Sequence, residues 1–353
     1  MKKTILFAIV FSLFKISLAQ EEIKVLWLGN SYTFVNNLPE MVNELSFGTD
    51  RIVTSELICP GGCTLFQHAE SPNSLNAIRK GNWDYVVLQE QSQLPSIDYY
   101  RHNAMRPAYQ SLYDSIMLYN PEAKVVGYMT WGRRYGGQQC VDFGDGLYCS
   151  ADFADFNQMQ DTMSVAYCEN AYATDSYVSP VGDAWKEVLN LNNKIVLHGP
   201  DESHPNYDGS YLAACVFHAV FWEESPIGTY YDSSYIEQTK AEFLQNVAND
   251  VFFNNLEKWN FESAVVDTTN ANESYYNNNF NIISNPDNNS VIIENENNIN
   301  ANVRIIGIDG VIIEEKNIKE DYVFHIDKPK GIYIIQITDP DSHEYFVKKI
   351  IKR

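Results

Sequence analysis

The sequence predicts an α/β fold, a parallel sheet covered on both faces by helices, followed by a small β-sandwich. Three observations predict it. Short apolar runs alternate with helix-spaced runs from residue 23 to about 255, the composition changes after Trp259 to an asparagine-crowded stretch, and short alternating runs with turn signals follow. Strand and helix in turn require crossovers that lay helices over a mostly parallel sheet, and the ligand site of such a sheet lies beyond the carboxyl ends of its strands. At 353 residues, 45% of them apolar, the chain holds one full-sized domain with a real core and a smaller appendage.

Residues 1–19 combine Lys2 and Lys3, an apolar run from Ile5 to Phe14, and Ser17-Leu18-Ala19 before Gln20, the parts of a secretory signal peptide. The run is short for about 30 Å of hydrocarbon and contains Lys15, and no later run is long enough, so no membrane span is expected in the mature chain. A first domain is expected over 20–260, with strands at Ile23–Leu28, Arg51–Ile58, Asp84–Leu88, Ala123–Met129 and Tyr177–Val181. Apolar spacing of three and four predicts helices over Leu38–Leu45, Asn103–Tyr119, Phe153–Ala173, Trp185–Leu191, Asp208–Trp222 and Ser234–Phe253. The polar stretch at 261–282 has too few apolar side chains for a core and is expected as a linker. In 283–353, strands are expected at Ser290–Glu294, Val303–Ile308, Val311–Glu314, Tyr322–Ile326 and Gly331–Ile337, with Asp309-Gly310 a two-residue hairpin turn.

A formal net charge of −21 argues against a nucleic-acid partner, which requires a basic footprint to displace counterions. The six cysteines all lie in the first two thirds. In an oxidising compartment Cys140 and Cys149, which flank a glycine-rich loop, are expected to bridge; Cys59 and Cys63 form a second bridge or two free thiols, and Cys215 a buried thiol. No paired CxxC repeat points to a zinc cluster.

The chemistry-bearing residues stand at expected strand ends. Ser31 follows the first strand within Gly29-Asn30-Ser31-Tyr32-Thr33, where glycine permits a tight turn. In Asp201-Glu202-Ser203-His204-Pro205, an aspartate three residues before a histidine can reach Nδ1, fix the tautomer and leave Nε2 to take a serine proton. Oxyanion donors are expected from the backbone of Ser31 and Gly62 and from the amide of Gln89 or Gln91, which share one side of the chain. His68 and Trp131 are candidate substrate-lining residues, Trp131 in a loop that also carries Arg133 and Arg134. His198, Asp201 and His204 recur at intervals of three, the spacing of a rival metal site, but His198 ends an apparent strand while the others lie on a loop.

Taken in order, GNSYT, the glycines after the second strand, WDYVVLQEQS, DxxHP and GxYLAACVF resemble the SGNH (GDSL-like) hydrolases over about residues 23–230. The resemblance implies a flavodoxin-like three-layer fold and ester hydrolysis by Ser31, His204 and Asp201, with no metal and no cofactor. Two departures stand out: Asn30 replaces the usual aspartate before the nucleophile, and a glutamine, Gln89 or else Gln91, replaces the usual asparagine of the third block. The tail, with Asn285-Pro286, the IDG turn, KGIYIIQI and the finish FVKKIIKR, is similar to the C-terminal sorting domain of the type IX secretion system of Bacteroidetes, which implies export by that machinery. The expected function is that of a secreted serine esterase acting on a small acyl ester or acylated glycan. The alternative is a non-catalytic glycan-binding or adhesive protein on the same scaffold.

Overall fold

The computed structural model describes residues 20–144, 146–192, 194–261, 274–276, 280–285, 290–295, 298–307, 312–325, 331–338 and 345–352. The expected signal peptide, most of the expected linker and the Asp309-Gly310 turn lie outside them.

Five strands, β1 (Glu21–Leu28), β2 (Arg51–Ile58), β3 (Tyr85–Leu88), β4 (Lys124–Tyr128) and β7 (Tyr177–Ser179), form one parallel sheet in the order β2-β1-β3-β4-β7. This is the flavodoxin-like order, with the chain reversing direction of growth between β1 and β3. The central strands are continuous apolar runs because both their faces are covered: Val25–Leu28 and Tyr85–Leu88 are buried throughout. The edge strand β2 is covered far less completely.

Helices Leu38–Glu44, Val181–Leu191, Tyr207–Trp222 and Gln238–Phe253 pack together as one layer; Leu65–Glu70, Pro72–Arg79, Arg106–Tyr119 and Phe156–Thr174 form the other. Tyr207–Trp222 is buried from Gly209 to its end, and Phe217 meets Trp27 of β1 edge-on at 4.8 Å between ring centroids. The two short helices at 65–79 have no counterpart among the helices expected from apolar spacing. Their starts are nonetheless marked locally, by a Thr64–Gln67 capping box and by Ser71 capping a helix with Pro72 at its first position.

Between β4 and the next helix, β5 (Gly137–Asp142) and β6 (Leu147–Phe153) form an antiparallel hairpin in place of a simple loop. Cys140 faces Cys149 across its ladder, and the two form the expected disulfide; Cys59, Cys63 and Cys215 are free thiols. The helix expected from Phe153 starts at Phe156, because Asp155 accepts the Gln158 N–H and so caps it, while Phe153 ends the hairpin.

The remainder is a β-sandwich. β8 (Ser274–Tyr276), β9 (Phe280–Asn285), β10 (Ser290–Asn295) and β13 (Tyr322–His325) make one antiparallel sheet, and β11 (Ala301–Gly307), β12 (Ile312–Ile318), β14 (Gly331–Thr338) and β15 (Tyr345–Lys352) the other. Ile282, Val291, Ile293, Val303, Ile305, Ile335 and Ile337 fill the space between them, the alternation expected of two inner faces. One expectation is corrected: the stretch expected as a linker supplies β8 and the start of β9, since Phe280 and Ile282 gain a core once paired with β10. The basic finish adds a further edge strand, β15, on β14.

Candidate active site

Ser31 starts a four-residue helical turn at the carboxyl end of β1. Gly29 has no room for a side chain: an added Cβ would lie 2.5 Å from Thr33 Oγ1 and 2.7 Å from Gln89 Oε1. Asn30 caps the turn by accepting the Tyr32 N–H, and its Nδ2 donates to the Cys63 carbonyl at 2.9 Å. A carboxylate in its place could cap but not donate, so Asn30 uses both ends of its amide to join the nucleophile turn to the Gly62 loop.

The histidine arrives on a tight loop closed at its base. His198 and Pro205 form an isolated antiparallel bridge, and the Gly199 N–H donates to the His204 carbonyl at 2.6 Å. Within the loop, Asp201 Oδ1 accepts the N–H groups of Ser203 (3.1 Å) and His204 (2.9 Å), while Oδ2 pairs with His204 Nδ1 at 2.5 Å. His204 Nε2 lies 2.8 Å from Ser31 Oγ. Burial raises the Asp201 carboxyl, but the His204 ring and the two backbone N–H groups outweigh it and hold its pKa at about 2. Asp201 is therefore an anion at neutral pH and selects the imidazole tautomer with hydrogen on Nδ1, leaving the Nε2 lone pair for the serine proton. The His204 side chain is 37% exposed, so the relay opens to solvent.

The structure brings Ser31, His204 and Asp201 together and places other candidates elsewhere. Gln89 is fully buried; its Oε1 accepts the Asn30 N–H (2.8 Å) and the Thr33 hydroxyl (3.0 Å), and its Nε2 donates to the Glu90 carbonyl. It braces the nucleophile turn from beneath, and its amide group is fully covered. Gln91 is half-buried and exchanges two hydrogen bonds with Gln93. Gly62, exposed and in the left-handed region at φ 67°, keeps a backbone N–H available on the loop that Asn30 holds.

His68 does not line a pocket. It is fully buried, with Nε2 on the Gly29 carbonyl (2.9 Å) and Nδ1 on the Ser74 hydroxyl (2.8 Å), and burial lowers its pKa. A carbonyl partner makes Nε2 the donor, so a neutral His68 supports the nucleophile turn from behind. Trp131 is likewise covered, 1% exposed, stacked between Tyr32 (4.8 Å) and Trp185 (3.9 Å), with Nε1 donating to the Ser203 carbonyl at 2.9 Å. Rather than touching a substrate, it ties the nucleophile turn to the histidine loop. His198 Nε2 donates to the Gly132 carbonyl at 3.0 Å, and its ring packs on Phe156 and Trp185. Among the described residues no group of three or more histidine, cysteine, aspartate or glutamate side chains is placed to hold a metal ion, and no helix is long and apolar enough to cross a membrane.

Residues that spacing did not single out complete the site. The Tyr32 hydroxyl, next in chain to Ser31, lies 2.6 Å from the Ser203 hydroxyl, next to His204, and both meet the Arg133 guanidinium. Glu90 is fully buried, and its Oε1 accepts the N–H groups of Leu65 (3.1 Å) and Gln91 (2.6 Å), joining the loops that follow β2 and β3. Burial outweighs these two bonds and pushes its pKa from 4.5 up to about 7. A raised carboxyl contributes stability that is present below pH 4.5 and lost as pH rises through about 7. Glu90→Gln should therefore gain on the wild type by on the order of 2–3 kcal/mol between pH 5 and pH 9. Urea melts at the two pH values check this, and a constant difference would show that Glu90 does not titrate in that window.

No family model matches the sequence, and no curated protein matches it. Among solved structures, the chain is similar to a DUF4886 family protein from Bacteroides uniformis ATCC 8492, with 17% identity over 66% of this chain and 95% of the other and a TM-score of 0.55. It is also similar to a candidate SGNH hydrolase from Slackia heliotrinireducens (25% identity, 56% and 98% of the two chains, TM-score 0.45) and to a lipase/acylhydrolase from Enterococcus faecalis (16%, 56% and 94%, TM-score 0.39). The first is a likeness of fold alone, and the TM-scores of the other two are too low to add to it.

Proposed function

We infer that the chain is a serine esterase of the SGNH type, working through an acyl-enzyme. The observation that carries this reading is the hydrogen-bonded relay Ser31–His204–Asp201 at the carboxyl edge of a parallel sheet in the flavodoxin-like order. Ser31 Oγ attacks the ester carbonyl as His204 takes its proton, and Asp201 stabilises the imidazolium that results. The oxyanion meets the backbone N–H groups of Ser31 and Gly62. His204 then protonates the leaving alcohol, and water, activated by the same histidine, releases the acid. Opening of the relay to solvent suits a substrate presented on a larger molecule, and an acylated glycan outside the cell is the proposed target. Residues 1–19 and the C-terminal module are proposed as the signal peptide and the type IX sorting domain, on the sequence features already given.

The test is mass spectrometry of the protein after treatment with a fluorophosphonate, beside Ser31→Ala. Label on Ser31, absent from the variant, is the expected result. A folded protein that takes no label would remove the nucleophile from the mechanism and favour a binding role.

A further inference from the structure

Arg133 stands at the site without an acidic partner. It follows β4 by way of Trp131 and Gly132, is half-buried, and makes no ion pair among the described residues. Its Nη1 donates to the hydroxyls of Tyr32 and Ser203, its Nη2 to the Ser92 hydroxyl at 3.0 Å, and its Nε to Gln139 Oε1 at 3.4 Å. All four acceptors are neutral. The remaining N–H of the five on a guanidinium, on Nη2, has no acceptor among the described residues. In a chain with 46 acidic against 25 basic residues, a charge held by four separate segments and left without an ion pair beside a nucleophile is placed to receive an anion.

Two anions could meet it, and their partners separate them. The oxyanion of acyl transfer has its own donors in the proposed mechanism, the backbone N–H groups of Ser31 and Gly62. Arg133 lies against the hydroxyl of Ser203, whose neighbour His204 delivers a proton to the leaving alcohol. The anion that reaches Arg133 is therefore a permanent one, on the alcohol component. We propose that the substrate is an O-acylated acidic sugar whose carboxylate docks on Arg133, an inference that rests on the esterase reading. The hairpin behind it, pinned by the Cys140–Cys149 disulfide, supplies Gln139 to hold the guanidinium in place.

The test compares acetate release from a mono-O-acetylated methyl galacturonoside and from its uronamide, which replaces the carboxylate by a neutral amide of nearly the same shape. A charge-assisted hydrogen bond predicts that kcat/KM favours the acid by about 10- to 100-fold in the wild type. The ratio should fall to about 1 in Arg133→Gln and stay between the two in Arg133→Lys, which keeps the charge without the planar fork. A wild-type ratio near 1, or a ratio unmoved in Arg133→Gln, overturns the proposal. Fluorophosphonate labelling is read on the same preparations. Labelled Ser31 with no preference for the acid sinks this inference and leaves the esterase standing, whereas unlabelled Ser31 in folded protein sinks both.

Discussion

Ser31→Ala and His204→Ala each lower kcat on an activated ester by about 10⁴- to 10⁶-fold, and the double variant is no worse than either alone. The two groups act on one proton, so removing either removes the same step; what survives comes from binding and the oxyanion donors. Stability is expected within about 0.5 kcal/mol of the wild type for Ser31→Ala, because Ser31 is half-exposed and, among the described residues, its hydroxyl bonds His204 alone. Initial rates with 4-nitrophenyl acetate and a denaturant melt on each variant decide it. A loss below about 10-fold in Ser31→Ala would mean that some other group attacks the ester.

The second large effect is on stability and should reach the chemistry through it. Trp131→Ala removes a fully covered indole from a stack with Tyr32 and Trp185 and strips the Ser203 carbonyl of its donor, a loss of about 3–5 kcal/mol by the cost of large-to-small core changes. Because the stack joins the residue after Ser31 to the residue before His204, kcat should fall in the folded fraction as well. Trp131→Phe separates the two contributions: it keeps an aromatic ring but not the N–H, and a loss of about 1–2 kcal/mol is expected. Equilibrium urea unfolding gives the stabilities, and rates below the unfolding transition give kcat. Wild-type stability in Trp131→Ala would place the indole on the surface and restore it as a candidate substrate contact.

These two sets of residues mark how far the sequence could be read. The strands of the parallel sheet were legible because strands buried on both faces are short unbroken apolar runs, as in Val25–Leu28 and Tyr85–Leu88. The pairing of Asp201 with His204 was legible because three residues on one loop set the reach of one side chain to the other. The Cys140–Cys149 bridge followed from two cysteines flanking a short turn. The helices at 65–79 are too short to show in apolar periodicity, and their starts are written in caps instead.

The roles of Gln89, His68 and Trp131 were decided elsewhere. Sequence spacing assigns a residue to a strand end, but not which of the groups arriving there faces the cleft and which faces the core. Gln89 turns inward because the N–H of Asn30 and the hydroxyl of Thr33 need an acceptor in a place water cannot reach. His68 is drawn to the Gly29 carbonyl, and Trp131 to the Ser203 carbonyl 72 residues on, for the same reason. By itself the sequence determined the strands of the sheet, its longer helices and the Asp201–His204 pair, since each depends on contacts within a few residues or on a repeating apolar pattern. The meeting of Ser31 with His204, 173 residues apart, was implied only by the ordered motifs of the resemblance. Tertiary structure decided which polar groups support the nucleophile and which, like Arg133, are left to meet a ligand, because burying a hydrogen-bonding group makes its choice of partner a property of the whole packed fold.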